Sequence, residues 1–369
     1  MTDTPLSRQI DDEWIQHAVT GGTFLGGGGG GSPEEGLEFA TLAIDYGTPE
    51  IVPLETLADD ELVVTVSAVG APAATDRLVK PADYVRAFEL VRDHLEARGQ
   101  SVAGMMTNEM GGSATVNGFV QSAVTGVPLV DATCNGRAHP TGPMGSIGLE
   151  GSDESVQSAV GGDPETGSHV ELVIESTIDV AATAVRQAAQ DAGGLVAVAR
   201  NPVTAEYATE HAAVGVYEQA VDLGRRIEGA EDGANAARSV AEALEGDVPV
   251  SGVVDDVTLE TEGGFDVGTV DVGGAELTFW NEYMTLEVDG ERLATFPDLI
   301  ALLDRDTGEP ITTAALEAGR NVSVVTAPAA SLSLGAGMRS LSLFEPVEDA
   351  VGKSVIDYAF PPAVGDHHE

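Results

Sequence analysis

The sequence predicts an α/β protein: an N-terminal α/β domain with a largely parallel sheet, then a C-terminal α+β domain ending in a β-rich subdomain. Three observations carry this. Short apolar runs at Ile51–Leu54, Leu62–Val66, Ser101–Met106 and Val127–Val130 alternate with helical patterns such as Pro81–Arg98, the mark of a layered α/β sheet. A glycine- and acid-rich stretch, Gly151–Ser168, reads as a loop or junction. Beyond Gly246 the period shortens to alternating strands with turns at Gly263-Gly264, Gly273-Gly274, Asp289-Gly290 and Gly308, which suits a small barrel. The expected domains are 1–168 and 169–350, the second divided into a βα part (169–246) and a β-rich part (247–350), with a tail over 351–369.

Taken in order, Asp11-Asp12 starts a helix with Trp14, Ile15, Ala18 and Val19 on one face, expected to stop at Gly21-Gly22. The stretch Gly21–Ser32, GGTFLGGGGGGS, holds six consecutive glycines, Gly26–Gly31, and runs into Ser32-Pro33-Glu34-Glu35. Ser32 suits an N-cap, Pro33 the first helical position, and Glu35 the third residue of a capping box. A second helix then runs to Gly47 with Leu37, Ala40, Thr41 and Ile44 inward. Glycine-rich backbone at a helix start offers unhindered N–H groups to an anionic or carbonyl-bearing ligand; a flexible linker is the other reading of such a run. Pro81–Arg98 is amphipathic through Val85, Phe88, Val91 and Leu95 and stops at Gly99. After the Gly151–Ser168 loop come a βαβ unit (strand His169–Glu175, helix Asp179–Asp191, strand Leu195–Ala199) and helices over Val203–Ala230 and Ala234–Leu244.

Composition narrows the function. Of 369 residues, 61 are Asp or Glu and 17 Lys or Arg, a net charge of −44, with Lys80 and Lys353 as the lysines. Acid spread along the whole chain fits a cytoplasm at molar salt, where charges are screened within about 3 Å, so a haloarchaeal origin is expected. No basic stripe exists to meet nucleic acid. The start MTDTPLSRQIDDEW lacks the pattern of a signal peptide, and no run of about 18 apolar residues exists to span a membrane; a soluble, cytoplasmic protein is expected. The single cysteine, Cys134, excludes an intrachain disulfide or a cysteine-rich metal site.

In a parallel sheet, ligands gather beyond the carboxyl ends of strands. Three motifs fall there: Gly70-Ala71-Pro72, Glu109-Met110-Gly111-Gly112, and the turn from Asp131 to Pro140. Glu109 is a candidate general base, or a helix N-terminal acid. Asp131, Cys134, Asn135, Arg137 and His139 crowd one turn and offer a base, a soft nucleophile, an amide, a carboxylate clamp and a titrating acid. Asp131, His139 and His169 with Glu109 have no metal-binding spacing, so no cofactor is expected and a metal stays open. His367 and His368 read as solvated tail residues. Asp298 reads as hairpin chemistry, while Asn281 and Glu282, at the end of an apolar strand, stay open.

These motifs together resemble the S-methyl thiohydantoin desulfurase-like family, which is associated with hydantoinase/oxoprolinase-type proteins. The likeness spans nearly the whole chain: GGTFLGGGGGGSPEEG, VGAP, NEMGG and VDATCNGRAHP in the first half, GGFDVGTV, WNEYM, TFPDLIALLD and TGEPITTAAL in the second. It implies hydrolysis of S-methyl thiohydantoin to hydantoin with release of methanethiol. Thr133-Cys134, His139 and Asp76-Arg77 depart from the family's usual residues, which allows a different substrate.

The expected function is therefore hydrolysis at a C–S or C–N centre of a hydantoin-like five-membered ring. Glu109 or Asp131 would activate water, and His139 would protonate the leaving group, with a covalent route through Cys134 less favoured. Amides of Gly26, Gly27, Gly28 and Gly29, with Gly111, Gly112 and Asn135, would hold the ring, and Arg137 an anionic arm. The alternative is a non-catalytic or regulatory partner of a hydantoinase-type enzyme; nucleotide binding at the glycine loop ranks third because no Lys follows it. The expected partners are a small-molecule substrate, a hydantoinase-type protein and further copies of the chain.

Overall fold

A computed structural model describes residues 10–70, 76–152, 154–262 and 265–361. The expected turns at Ala71-Pro72 and Gly263-Gly264, and the tail residues His367 and His368, lie outside the described residues. Helices α1 (Asp12–Gly26) and α2 (Pro33–Tyr46) flank the glycine loop. There follow β1 (Ile51–Val52), β2 (Leu62–Gly70), α3 (Pro81–Glu96), β3 (Val102–Glu109), α4 (Phe119–Thr125) and β4 (Leu129–Asn135). Then come β5 (Ser155–Gly161), β6 (Val170–Ser176), α5 (Ile178–Asp191), β7 (Leu195–Thr204), α6 (Ala205–His211), β8 (Ala213–Val214), α7 (Val216–Glu228) and α8 (Gly233–Ala243).

The first sheet has the order β1-β4-β3-β2-β7-β5-β6, with β8 on β4. Strands β1, β4, β3 and β2 are mutually parallel, as the alternation of strands and helices requires. Strands β7, β5 and β6 extend that sheet in antiparallel fashion. One face is covered by α3, whose Phe88, Val91 and Leu95 meet Val64, Val66 and Met105. On the other face α5 packs on Val196 and Val198, and α6 lies near Val63, Met106 and Cys134.

Local chemistry explains most elements and tertiary packing the exceptions. Ser32 caps α2 by accepting from the N–H of Glu35 at 3.2 Å, with Pro33 in the first turn. The hydroxyl of Ser32 itself donates to Glu34, and Glu35 pairs with Arg77, so the reciprocal half of the expected capping box is not made. Helix α1 does not stop at Gly21-Gly22 but continues to Gly26, where Gly27 in the left-handed region ends it. Gly21 lies against the Ala220 carbonyl and the Gly224 backbone of α7, and a side chain there would collide. Close helix–helix packing outweighs the low helix propensity of glycine, about 1 kcal/mol per residue. The expected loop Gly151–Ser168 contains β5, buried along its length, and the single helix expected over Val203–Ala230 is divided into α6, β8 and α7.

The second sheet holds β9 (Asp247–Glu262), β10 (Phe265–Val272), β11 (Ala275–Trp280), β12 (Glu282–Val288), β13 (Glu291–Thr295), β14 (Leu299–Asp304), β15 (Pro310–Ile311) and β16 (Asn321–Ala327). Its order is β13-β12-β11-β10-β9-β16-β14-β15, and the pairings are antiparallel. Strands β12 and β13 return beside β14, so the sheet rolls around Phe279, Tyr283, Leu286, Ile300, Leu302, Val322 and Val324. Helices α9 (Glu345–Val351) and α10 (Ile356–Ala359) close an apolar cluster of Met144, Trp280, Phe296, Met338 and Phe344. The two sheets meet at the glycine loop: the N–H of Tyr283 donates to the Gly27 carbonyl at 2.8 Å, and that of Thr313 to Gly28 at 3.0 Å. Among the described residues no helix is long and apolar enough to cross a membrane.

Candidate functional site

The carboxyl ends of β3 and β4 bring Glu109 and Asn135 side by side as register partners. Four residues past β4, the chain folds back so that Nδ1 of His139 lies 2.9 Å from Oε2 of Glu109. The imidazole is nearly sealed, with 1% of its side chain exposed, while Glu109 keeps 15%. Asn108 closes the other side, its Nδ2 standing 3.2 Å from Nε2 of His139. The orientation of that amide follows from Arg200, whose Nη2 lies 2.7 Å from Asn108 Oδ1. A guanidinium only donates, so the amide oxygen faces Arg200 and the amide NH2 faces His139. Nε2 must then accept, and the neutral ring carries its proton on Nδ1, directed at Glu109. Asn135 Nδ2 also approaches Nδ1, at 3.2 Å, but donates to the Met144 carbonyl at 2.8 Å. The result is a chain of contacts, Arg200–Asn108–His139–Glu109, that orients one carboxylate.

A second carboxyl comes from the other sheet. The turn between β11 and β12 has Asn281 in the left-handed region (φ 58°), its Oδ1 accepting from the Asp266 N–H at 2.9 Å. That turn projects Glu282 into the interior, where it is 2% exposed. Burial, and then the nearby charge of Glu109, push its carboxyl well above the usual carboxylate range against the opposing charge of Arg137, and the shift favours the protonated form. Among the described residues its Oε2 has no hydrogen-bond partner. Arg137 is fully buried beside it, with its guanidinium 4.6 Å from the centre of the Phe296 ring. Nη1 of Arg137 donates to the carbonyls of Pro297 (3.1 Å) and Asp298, and burial lowers its pKa to about 10.

The other residues singled out in the sequence divide by location. Asp131 lies in β4, not in a turn, and its Oδ1 accepts from the N–H of Tyr217 at the start of α7, 2.9 Å away. Burial, with Glu218 and Glu55 adding to it, pushes the Asp131 carboxyl up to about 6. Cys134 sits in an apolar cluster with its Sγ 3.3 Å from the Thr65 hydroxyl, and burial pushes the thiol up to about 11. Asp298 has the structural role expected of it, its Oδ1 accepting from the Ala329 N–H at 2.8 Å.

The glycine loop is filled by protein. A Cβ at Gly27 would meet Arg137, at Gly28 Thr313 and Tyr283, and at Gly29 the carboxyl of Glu282. Gly26 and Gly30 face Gly111, and Gly112 faces Gly31 and Pro33. These glycines bring three side chains of the second sheet and the turn after β3 into one buried assembly. Among the described residues, no hydrogen bond uses the N–H of Gly28, Gly30 or Gly31. No group of three His, Cys, Asp or Glu side chains forms a metal-ligating cluster among them either.

Sequence reasoning did not assign Asn108 or Arg200 and left Glu282 unassigned. The available signals were a carboxylate bracketed by Trp280, Tyr283 and Met284, and a single arginine closing the apolar run Leu195–Ala199.

Comparison with known proteins identifies the family and the fold. The S-Me-THD-like N-terminal domain matches residues 13–166, and the S-Me-THD-like C-terminal domain matches residues 176–346. A crystal structure of a protein from Chromobacterium violaceum, solved by structural genomics, superposes with a TM-score of 0.69 at 20% identity, covering 93% of this chain and 96% of that one. No curated protein matches. With both family domains present in order and spanning nearly its whole length, the chain belongs to the S-Me-THD-like family.

Proposed function

We propose that the protein is a hydrolase of a hydantoin- or thiohydantoin-like five-membered ring, working at a C–S or C–N centre. The observation that carries this reading is the convergence of one oriented carboxylate, Glu109, with one buried carboxyl, Glu282, whose hold on its proton is strengthened by burial. Glu109, held by His139, removes a proton from water, and the water oxygen attacks the ring carbon. For an S-methyl substrate the tetrahedral intermediate then breaks its C–S bond, and Glu282 gives its proton to the departing thiolate. The products are the ring carbonyl and methanethiol. The proton on Glu109 returns to Glu282 through solvent, which restores both groups. Arg137 and the N–H groups of Gly28 and Gly30 supply positive potential to the intermediate's negative charge, which falls on ring nitrogen for the C–S reaction and on oxygen for a ring amide.

Asp131 and Cys134 have no part in this scheme. The first is held at the start of α7, and for the second burial outweighs the support that the Thr65 hydroxyl and the Arg200 charge give its thiolate. The even spread of acid over the chain favours operation at high salt. The test is release of thiol from S-methyl thiohydantoins, and ring opening of hydantoins, by the purified full chain in dilute buffer and in concentrated KCl. Turnover of any member of the panel supports the reading. No turnover alone, with turnover restored by a hydantoinase-type protein, gives the regulatory-partner reading instead.

A further inference from the structure

The face of the first sheet that carries α5 and α6 has a polar gap between its two apolar clusters. On one side Ala159, Val196 and Val198 meet α5, and on the other Val63, Met106 and Cys134 meet α6. Between them, Arg200 of β7 pairs in register with Thr65 of β2 and Gln157 of β5. Its side chain crosses β2 at Thr65–Ser67 to reach Asn108 on β3. The loop above brings two glycines over it: a Cβ on Gly142 would lie 3.7 Å from Nη1 of Arg200, and one on Gly145 would touch Asn108 and His139.

Two features of this gap ask for a ligand. Arg200 is 5% exposed, and among the described residues its Nε has no acceptor; Ser67, 2% exposed on the same face, has none among them for its hydroxyl. Moreover, the chain has 61 acidic side chains, and seven arginines stand within 4 Å of one: Arg77, Arg86, Arg92, Arg98, Arg226, Arg292 and Arg320. Seven other described arginines, Arg200 among them, have no such pair, and of these only Arg137 and Arg200 are buried. A buried guanidinium without an anion is costly.

We propose that this gap is a carboxylate subsite, in which Nε–H of Arg200 and the Ser67 hydroxyl receive a carboxylate on the ligand's side arm. One cation and one hydroxyl match a single negative charge and two oxygens, and fall short of a phosphate dianion with three. Asn108 joins the subsite to His139 and Glu109, so an anchored side arm fixes the rest of the molecule against the oriented carboxylate. The identity of that molecule as a ring substrate rests on the proposed function; the anion site itself does not.

Two measurements test it on the full chain. Crystals soaked in sodium bromide report the anion site alone: an anomalous peak is expected in contact with Arg200 Nε, and absent in Arg200→Gln. Calorimetric titration with hydantoin-5-acetate and its neutral amide reports the ligand class. The acid is expected to bind at least about 10-fold tighter than the amide, as a charge-assisted hydrogen bond implies, with the ratio falling to about 1 in Arg200→Gln and lowered about threefold in Ser67→Ala. Arg200→Lys, which keeps the charge, retains part of the preference. A missing bromide peak overturns the subsite, and so does an acid-to-amide ratio unchanged by Arg200→Gln. Bromide bound at Arg200 with neither ring compound bound supports the anion site and counts against the hydantoin reading.

Discussion

Nδ1 of His139 stands 2.9 Å from Oε2 of Glu109, joining the last residue of β3 to the turn that follows β4. The contact matters because Asn108 faces the other ring nitrogen and leaves Nδ1 to carry the proton. Glu109→Gln keeps the shape of this pair and removes its charge. Turnover is expected to fall at least about 100-fold, the usual size of an acid–base contribution, with an unchanged unfolding midpoint. His139→Gln should cost about 10- to 100-fold, because it weakens orientation and leaves the base in place. Near-normal kcat in Glu109→Gln would remove Glu109 from the base role.

Glu282 gives a prediction with two separable readouts. A carboxyl raised well above its unfolded value binds its proton more tightly in the folded state. Its contribution to stability is complete below the unfolded pKa, near 4.3, and is lost as pH rises through the raised folded value. Glu282→Gln cannot ionise, so it should match the wild type in acid and exceed it in denaturant midpoint at alkaline pH. Its turnover should fall at least about 100-fold if Glu282 is the acid. Equal alkaline stability of the two proteins would contradict a protonated Glu282.

Asp131 offers a milder pH signature of the same sign. Its carboxyl is pushed up to about 6, chiefly by burial, from an unfolded value near 3.9. Its stabilisation is therefore full below about pH 4 and lost between there and about pH 6, a difference on the order of 3 kcal/mol. Asp131→Asn keeps an oxygen for the Tyr217 N–H and should flatten that stretch of the stability–pH curve, with turnover within about twofold of wild type. Urea unfolding at pH 4 and pH 7 measures the first effect. A large loss of turnover would return Asp131 to the candidates for the base.

Gly30 and Gly99 share a left-handed backbone, at φ 82° and 79°, but differ in surroundings. A Cβ on Gly30 would run into the Gly111 backbone, whereas one on Gly99 meets nothing within 4 Å. Gly99→Ala should cost about 1 kcal/mol from backbone strain alone. Gly30→Ala adds overpacking and should cost about 2–4 kcal/mol in all. Similar losses for the two would mean that the glycine run is not the packed junction described above.

The sequence by itself determined the parts of this protein that depend on neighbours along the chain. Alternating apolar runs and amphipathic helices specified the α/β layer, and glycine turns specified the antiparallel sheet after Gly246. Ser32-Pro33 specified the start of α2, because a cap is made within a few residues. The motif NEMGG and the turn around Asn135–His139 marked the ends of β3 and β4, where Glu109 and His139 meet. The strand β5 stayed hidden in a glycine-rich stretch because its register is supplied by β6 and β7. Tertiary structure alone decided which carboxyls hold their protons more tightly, which tautomer His139 adopts, and which arginines are buried away from a carboxylate. Glu282 lies 173 positions beyond Glu109 in the sequence and Arg200 lies 92 beyond Asn108. Burial, and the partners that set charge at such positions, exist only once the two sheets have closed on the glycine loop.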